Sequence, residues 1–225
     1  WSTEHFGQLR SAGGVGLGVV IPETSSPTVQ RLLSDFRSAF ANAQVYVHDS
    51  TDRSRRNAGA DMVGAGGLAP RYDLSRADVV VTLDADILGT EGDVIQASRD
   101  FASRRKVESA EDEMNRLYSV EANFSVTGMM ADNRLRLKSS QVGEFACALA
   151  VGLIEAGVSA PPGALGLVAR LGGGDLPSDV QSWASAVAAD LASTKHRGRS
   201  VVIVGDRQPA HVHAVGHLIN VALGN

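Results

Sequence analysis

Cysteine and aromatic residues are both scarce in this chain. One of its 225 residues is Cys, and Phe, Trp and Tyr together make up 5%. A single thiol excludes an iron–sulfur cluster held by this chain alone, because such a cluster usually takes four cysteine ligands. Cys147 lies in the apolar run 145–150 with no polarising neighbour in sequence, so we expect a buried and unreactive side chain.

Excess positive charge and long apolar runs are also missing. The formal net charge is −4, whereas binding to nucleic acid calls for a basic face. We therefore expect no nucleic-acid partner and interpret Arg53, Arg55 and Arg56 as a solvated cluster. No apolar run reaches the roughly 18–20 residues that span a bilayer, so we expect no direct membrane span. The chain does not begin with Met, and we expect it to be part of a longer protein.

Short apolar runs alternate with segments of helical periodicity along the chain. This alternation predicts an α/β fold with a mostly parallel sheet and helices on both faces, similar to a Rossmann fold. The predicted strands lie at residues 16–21, 45–47, 77–83, 117–121, 135–137 and 200–204. The predicted helices lie at residues 27–40, 92–105, 140–156, 177–195 and 210–223.

Gly and Pro are concentrated in residues 157–176, which we interpret as a long connection. Residues 1–156 would then form an α/β lobe, and residues 177–225 would complete the fold with a helix, a strand and a helix. Whether the two parts form separate lobes stays open. Residues 49–70 are polar and rich in Arg and Gly, and a short helix or a functional loop is equally compatible with them.

Ligands of open parallel sheets bind outside the carboxyl ends of the strands. Three loops occupy such positions, at residues 23–28, 84–92 and 205–209, and each precedes a helix whose first amides favour anions. The candidate cofactor-binding residues in these loops are Thr24, Ser25, Ser26, Asp84, Asp86, Gly205, Asp206 and Arg207. Helix capping is the alternative role for the first loop. No Walker motif is present, and no G-x-G-x-x-G sequence follows a strand.

Two further patterns have both a chemical and a structural interpretation. Asp84 and Asp86 could hold Mg²⁺ or transfer protons, but Asp also caps helices and closes turns. His213 and His217 have the four-residue spacing of a zinc pair, although no cysteine or H-E-x-x-H glutamate accompanies them. No G-x-S-x-G nucleophile turn is present. We expect structural roles for both pairs, no catalytic residue and no metal site.

Three groups of motifs occur in a recognisable order. They are YDL at 72–74 with ADVVVTLDADIL at 77–88; MNRLYSVE at 114–121 with SVTG at 125–128 and ADNRL at 131–135; and GRS at 198–200 with GDRQP at 205–209, VHA at 212–214 and NVALGN at 220–225. In this order they resemble the molybdopterin-oxidoreductase-like region of the iron–sulfur subunit of alternative complex III. That family is also described as quinol:cytochrome c oxidoreductase iron–sulfur proteins, or Tat-translocated molybdopterin oxidoreductases.

The resemblance implies a non-catalytic domain of a respiratory electron-transfer complex that oxidises quinol. Its partners would be iron–sulfur domains and membrane subunits of the same complex, on the periplasmic side of the inner membrane. In true molybdenum enzymes the loops that correspond to 84–92 and 205–209 contact the pterin nucleotides. The family's region has generally lost molybdopterin, so we expect no cofactor in this domain and iron–sulfur clusters elsewhere in the parent protein. The alternative is a working domain that binds a nucleotide or bis-pterin at the strand ends.

Overall fold

The computed structural model of the chain describes residues 1–49, 53–172 and 174–225. The chain divides into two compact units, Trp1–Asp52 and Arg53–Asn225. The described helices are α1 (Ser2–Ser11), α2 (Pro27–Ala39), α3 (Ser54–Met62), α4 (Val94–Ser103), α5 (Val126–Met130), α6 (Val142–Glu155), α7 (Ala164–Leu171), α8 (Ser178–Ala192) and α9 (Ala210–Leu223). The described strands are β1 (Gly18–Ile21), β2 (Gln44–Val47), β3 (Val79–Leu83), β4 (Arg116–Glu121), β5 (Asn133–Arg136) and β6 (Ser200–Val204).

The first unit contains helix α1 followed by a strand–helix–strand element. Strands β1 and β2 pair in parallel, with Gly18 opposite Gln44, and α2 connects them. Helix α2 begins where the sequence predicts, because the Ser26 hydroxyl accepts a hydrogen bond from the Val29 amide and Pro27 occupies the first turn. Ser26 therefore caps α2.

The second unit contains a four-stranded parallel sheet in the order β5-β4-β3-β6. From β3 the chain adds β4 and then β5 on one side, and it returns to place β6 on the other side of β3. The direction of the strand order therefore reverses between β3 and β6. In parallel α/β sheets the carboxyl ends of the strands at such a reversal form the crevice where ligands bind.

Two strands of this sheet, β3 in its interior and β6 at its edge, are buried on both faces. All five residues of β3 and all five of β6 are buried, which is why they appear in the sequence as unbroken β-branched runs. Val79, Val81 and Leu83 contribute to a large core with α6, α8 and α9, while Val80 packs with Phe101 of α4 in a smaller core. The predicted α/β fold with a parallel sheet and flanking helices is confirmed.

The sequence did not predict helices α1 and α5, and two further stretches of the chain are organised differently from the prediction. The Gly/Pro-rich stretch 157–176 lies inside the second unit and contains helix α7, whose Ala164 and Val168 are buried. The division between the compact units instead falls in the polar stretch 49–70, which also contains α3. Residues 50–52 of that polar stretch and residue 173 of the Gly/Pro-rich stretch lie outside the described residues. Among the described helices, none combines the length and apolar character needed to cross a membrane.

Candidate functional site

The loops after β3 and β6 meet at the point where the strand order reverses. The Gly205 amide donates a hydrogen bond to the Leu83 carbonyl at 2.9 Å. A Cβ atom at residue 205 would lie 1.9 Å from the Asp84 carbonyl oxygen, so only glycine fits there. Asp84 itself has a φ of +56°, a left-handed backbone conformation that residues other than glycine rarely adopt. The two strand ends are thus held together by a close backbone crossing.

The Asp84 carboxylate joins three segments of the chain. Its Oδ1 accepts a hydrogen bond from the Ala122 amide at 3.2 Å, after β4. Its Oδ2 accepts one from Gln208 Nε2 at 2.8 Å and one from the Ser139 hydroxyl. Gln208 is 1% exposed and also donates to Ser139 Oγ at 2.9 Å. We call Asp84, Ser139 and Gln208 the clasp, since together they hold the loops after β3, β5 and β6.

Both oxygens of the Asp86 carboxylate also accept hydrogen bonds from the chain. Its Oδ1 accepts hydrogen bonds from the Thr127 amide at 3.0 Å and the Thr127 hydroxyl at 2.9 Å. Its Oδ2 accepts one from Thr90 Oγ1 at 3.1 Å. Thr127 in turn accepts a hydrogen bond from the Leu88 amide at 3.0 Å. Asp86 therefore fixes the start of α5 against the loop after β3.

A third carboxylate, which sequence reasoning did not single out, ends strand β4. Glu121 is 3% exposed and its Oε1 accepts a hydrogen bond from Arg134 Nε at 2.6 Å. The Ser125 amide and hydroxyl also donate to this carboxylate. A Cβ on Gly128 would lie 1.8 Å from Glu121 Oε1, so the glycine in α5 makes room for the carboxylate. A Glu at the end of an apolar strand was the available signal in sequence.

These carboxylates line one wide cavity of about 460 Å³ at the strand ends. Glu91 also lines it, and its Oε2 accepts a hydrogen bond from the Asp206 amide at 3.0 Å. Burial is the main reason that the pKa of Glu91 lies above its ordinary value. Arg207 is the basic side chain on this lining. The cavity is acidic in character, which disfavours the phosphate groups of a nucleotide.

A second cavity, of about 160 Å³, lies beside the amino end of α4. Arg56, Arg71 and Tyr72 contribute to its lining, together with Glu91 and Asp206. Arg56 Nη1 lies 3.7 Å from Asp206 Oδ1. Burial raises the pKa of Tyr72 to about 12, and the charge of Arg56 acts in the opposite direction. This cavity presents two guanidinium groups, which suit an anion, although the Asp93 carboxylate already accepts a hydrogen bond from the Gln96 amide at the start of α4.

The structure brings together some of the candidate cofactor-binding residues. Asp84, Asp86 and Arg207 line the acidic cavity, Gly205 crosses Asp84, and Asp206 lines the second cavity. The remaining candidates, Thr24, Ser25 and Ser26, lie in the first unit, where the Thr24 hydroxyl accepts a hydrogen bond from the Ser26 amide at 3.2 Å. Their assignment to a cofactor stays a prediction.

The histidine pair and the cysteine lie apart from the lining of these two cavities. His213 and His217 lie on α9 and each has a buried Nε2 atom without a hydrogen-bond partner among the described residues. Within the ranges that the structure describes, no three His, Cys, Asp or Glu side chains are grouped so as to hold a metal ion. Cys147 is buried, and burial raises the pKa of its thiol to about 11.

Known proteins give no independent assignment of this site. The chain matches no family model, and no curated protein matches it either.

Proposed function

We propose that the chain is a non-catalytic α/β domain of a respiratory complex that oxidises quinol. In this role it resembles the molybdopterin-oxidoreductase-like region of the alternative complex III iron–sulfur subunit. It would position iron–sulfur domains and membrane subunits on the periplasmic side of the inner membrane. The observation that carries the proposal is the internal hydrogen bonding of Asp84, Asp86 and Glu121 at the strand ends.

A carboxylate that binds a metal or moves a proton needs an oxygen that can reach the ligand. Both Asp84 oxygens and both Asp86 oxygens accept hydrogen bonds from the chain, and Glu121 is paired with Arg134. Hydrogen bonds to a charged group contribute about 1.5–3 kcal/mol each, so their loss on ligand binding would be costly. These carboxylates therefore suit a fixed framework better than a reactive centre.

Ion pairs at the amino ends of the strands support the same role. Asp78, just before β3, pairs with both Arg104 and Arg199. Asp190 of α8 accepts hydrogen bonds from Arg116 Nη1 at 2.6 Å and from the Tyr118 hydroxyl at 2.8 Å. Both groups tie the amino ends of the strands to neighbouring helices or loops. A domain whose strands are held by such contacts at both their amino and carboxyl ends can keep attached domains in a fixed arrangement.

One observation favours the alternative function, a domain that binds a nucleotide or pterin cofactor. The cavity at the amino end of α4 presents Arg56 and Arg71 next to Tyr72. Guanidinium groups pair well with phosphates, and an aromatic ring can stack on a base or pterin. Three acidic residues on the same lining, Glu91, Asp93 and Asp206, weaken this preference. The scaffold function therefore remains the proposal.

Two measurements on the full chain separate these functions. The first is the melting temperature with and without 1 mM GDP, which rises by several degrees when a ligand binds the folded state well. We expect a change below about 1 °C, since the acidic lining opposes phosphate binding. A rise of several degrees that disappears in Arg56→Ala would favour the cofactor-binding alternative instead.

The second measurement tests the scaffold role directly. The chain is mixed with the iron–sulfur domains of its parent protein, and association is followed by sedimentation velocity. We expect a stable 1:1 complex without any change in the visible spectrum of the clusters. If the two polypeptides sediment independently at micromolar concentration, the scaffold proposal is wrong.

A further inference from the structure

Helix α3 lies against α9 at an unusually close crossing. A Cβ at Gly59 of α3 would lie 2.4 Å from the His213 Cβ and 2.6 Å from the Ala210 carbonyl oxygen. Gly59 and Ala60 are the buried residues of α3, so this contact is the helix's main packing surface. Arg55 Nη1 adds a hydrogen bond to the Arg207 carbonyl at 2.6 Å.

Helix α3 has little intrinsic stability without that contact. It spans nine residues, has no side-chain hydrogen bond at its N-cap Arg53, and contains a Gly and an Asn in its interior. Isolated helices shorter than about 12 residues are marginal in water. Its folding therefore depends on packing against α9, and a change at that interface can release it locally.

The interface contains two imidazoles that are poorly suited to carry charge. His213 is 2% exposed, and its Nε2 and that of His217 are buried without a hydrogen-bond partner among the described residues. The Gln208 backbone accepts a hydrogen bond from the His213 ring, and this contact leaves the buried Nε2 without a partner among the described residues. A proton added to that nitrogen would be a buried donor with no acceptor.

The charges around the pair oppose protonation overall. Those acting most strongly on His213 are His217, Asp206 and Arg56, and Arg56 also acts on His217. Strand β6 contributes no ionisable side chain. The other elements packed on α9 contribute Arg55, Arg56 and Asp61 of α3, Glu144, Cys147 and Glu155 of α6, and Arg170 of α7. Protonation of both histidines would place three positive groups near one carboxylate, Asp206. Burial, followed by the charges of His217 and Arg56, lowers the pKa of His213 to about 4, although Asp206 acts in the opposite direction. Burial and then Arg56 also lower the pKa of His217.

We propose that α3 and α9 form an acid-sensitive latch, closed while His213 and His217 are neutral and opened when both imidazoles bind protons from solvent. Opening lets the two charged rings reach water, and it is a local event because α3 packs chiefly on α9. Release also removes Arg56, a lining residue of the second cavity, from its place near Asp206. Because His213 bonds to the Gln208 backbone and the Gln208 side chain bonds to Asp84, the latch adjoins the clasp.

The direction of the effect follows from linkage. A histidine whose pKa is lower in the docked state than in the released state favours release as the pH falls below about 6.5. With a docked value of about 4, His213 alone shifts the equilibrium toward release by roughly 50- to 100-fold between pH 7 and pH 4.5. His217 adds to this shift in the same direction.

Hydrogen exchange of the full 225-residue chain tests the latch. Protection of α3 is compared at pH 7.0 and pH 4.5 after correction for intrinsic exchange rates, with β3 and β6 as internal references. We expect protection of α3 to fall by at least roughly 50-fold while the two strands keep theirs. Equal protection of α3 at both pH values overturns the proposal, and so does simultaneous loss in the strands.

Variants link the response to the named imidazoles. The double variant His213→Leu/His217→Leu should keep α3 protected at pH 4.5, whereas His211→Leu on the same helix should respond like the wild-type chain. If the double variant does not fold, Arg56→Gln gives a second test. Removing that guanidinium eases protonation of the docked state, so the midpoint of release should move to lower pH. An unchanged midpoint in Arg56→Gln, or a wild-type response in the folded double variant, contradicts the latch.

Discussion

Gly205 and Asp84 cross so closely that a methyl group on residue 205 would lie 1.9 Å from the Asp84 carbonyl oxygen. Asp84 adopts a φ of +56°, and the Gly205 amide bonds to Leu83, the residue before Asp84. The crossing lies where the strand order reverses between β3 and β6. It therefore fixes the geometry of the crevice around which the candidate site is built.

The first prediction concerns this crossing. Gly205→Ala should destabilise the folded chain by at least about 3 kcal/mol, because the obstructing atom is backbone and cannot rotate away. The free energy of unfolding in urea, followed by circular dichroism, measures the effect. Gly166→Ala is the matched control, since nothing lies within 4 Å of a Cβ there. In helix α7 that change should stabilise by about 0.5–1 kcal/mol. Equal stability of the two variants would contradict the close crossing.

The second prediction concerns the ion pair between Glu121 and Arg134. Glu121→Gln should lower the free energy of unfolding by about 2–3 kcal/mol, because it leaves a half-buried guanidinium without its counter-charge. Glu108→Gln is the control, because its partner Lys106 and Glu108 itself are 74% and 70% exposed. That change should cost less than about 0.5 kcal/mol. A Glu121→Gln chain as stable as its control would show that the pair contributes little.

The elements of the fold follow from local signals that the sequence displays. The unbroken apolar runs of β3 and β6 predict buried parallel strands, and Ser26 followed by Pro27 predicts the start of α2. Helix α7 was missed because Pro161, Pro162 and Gly163 precede it and a glycine follows its last residue, which together indicate a loop. The Pro and Gly residues at the two ends of this short helix indicated a loop more strongly than the apolar spacing within it indicated a helix.

The candidate site is less accessible from sequence because its contacts join distant positions. Gln208 and Asp84 are 124 residues apart in the chain, and Ser139 lies 55 residues from Asp84. The position of Asp84 at a strand end was predictable, whereas its partners depend on the strand order. Glu121 was missed for the same reason, since its burial depends on Gly128 and Arg134.

The third prediction concerns pH and Asp78. The hydrogen bond from Arg199 is the main cause that lowers the pKa of Asp78, with further lowering by the charges of Arg199 and Arg104. A carboxyl whose pKa is lowered on folding adds stability above its unfolded value, near 3.8, and that stability is lost as the pH falls through the folded value. Asp78→Asn should therefore be less stable than the wild-type chain at pH 7, by about 1–2 kcal/mol.

The same comparison at low pH provides the check on that assignment. The difference between the wild-type chain and Asp78→Asn should shrink as the pH falls below about 4, because the wild-type carboxyl then also loses its charge. Urea unfolding at a series of pH values down to 3 measures it. A difference that stays constant over that range would mean that packing of the side chain, and not its charge, supplies the stability.

The fourth prediction concerns Cys147, the single thiol of the chain. Burial raises its pKa to about 11, so at pH 8 only about one thiol in a thousand is ionised, and the thiolate is the reactive form. In the native chain a colorimetric disulfide reagent at pH 8 should react at least about 100-fold more slowly than in 8 M urea. Unfolding exposes the sulfur and restores an ordinary pKa, so the urea sample supplies the reference for complete reaction. A native rate close to the unfolded rate would mean that α6 opens readily. The packing of Cys147 beneath Gly172, where a Cβ would lie 3.3 Å from the Cys147 Cβ, argues for the slow result.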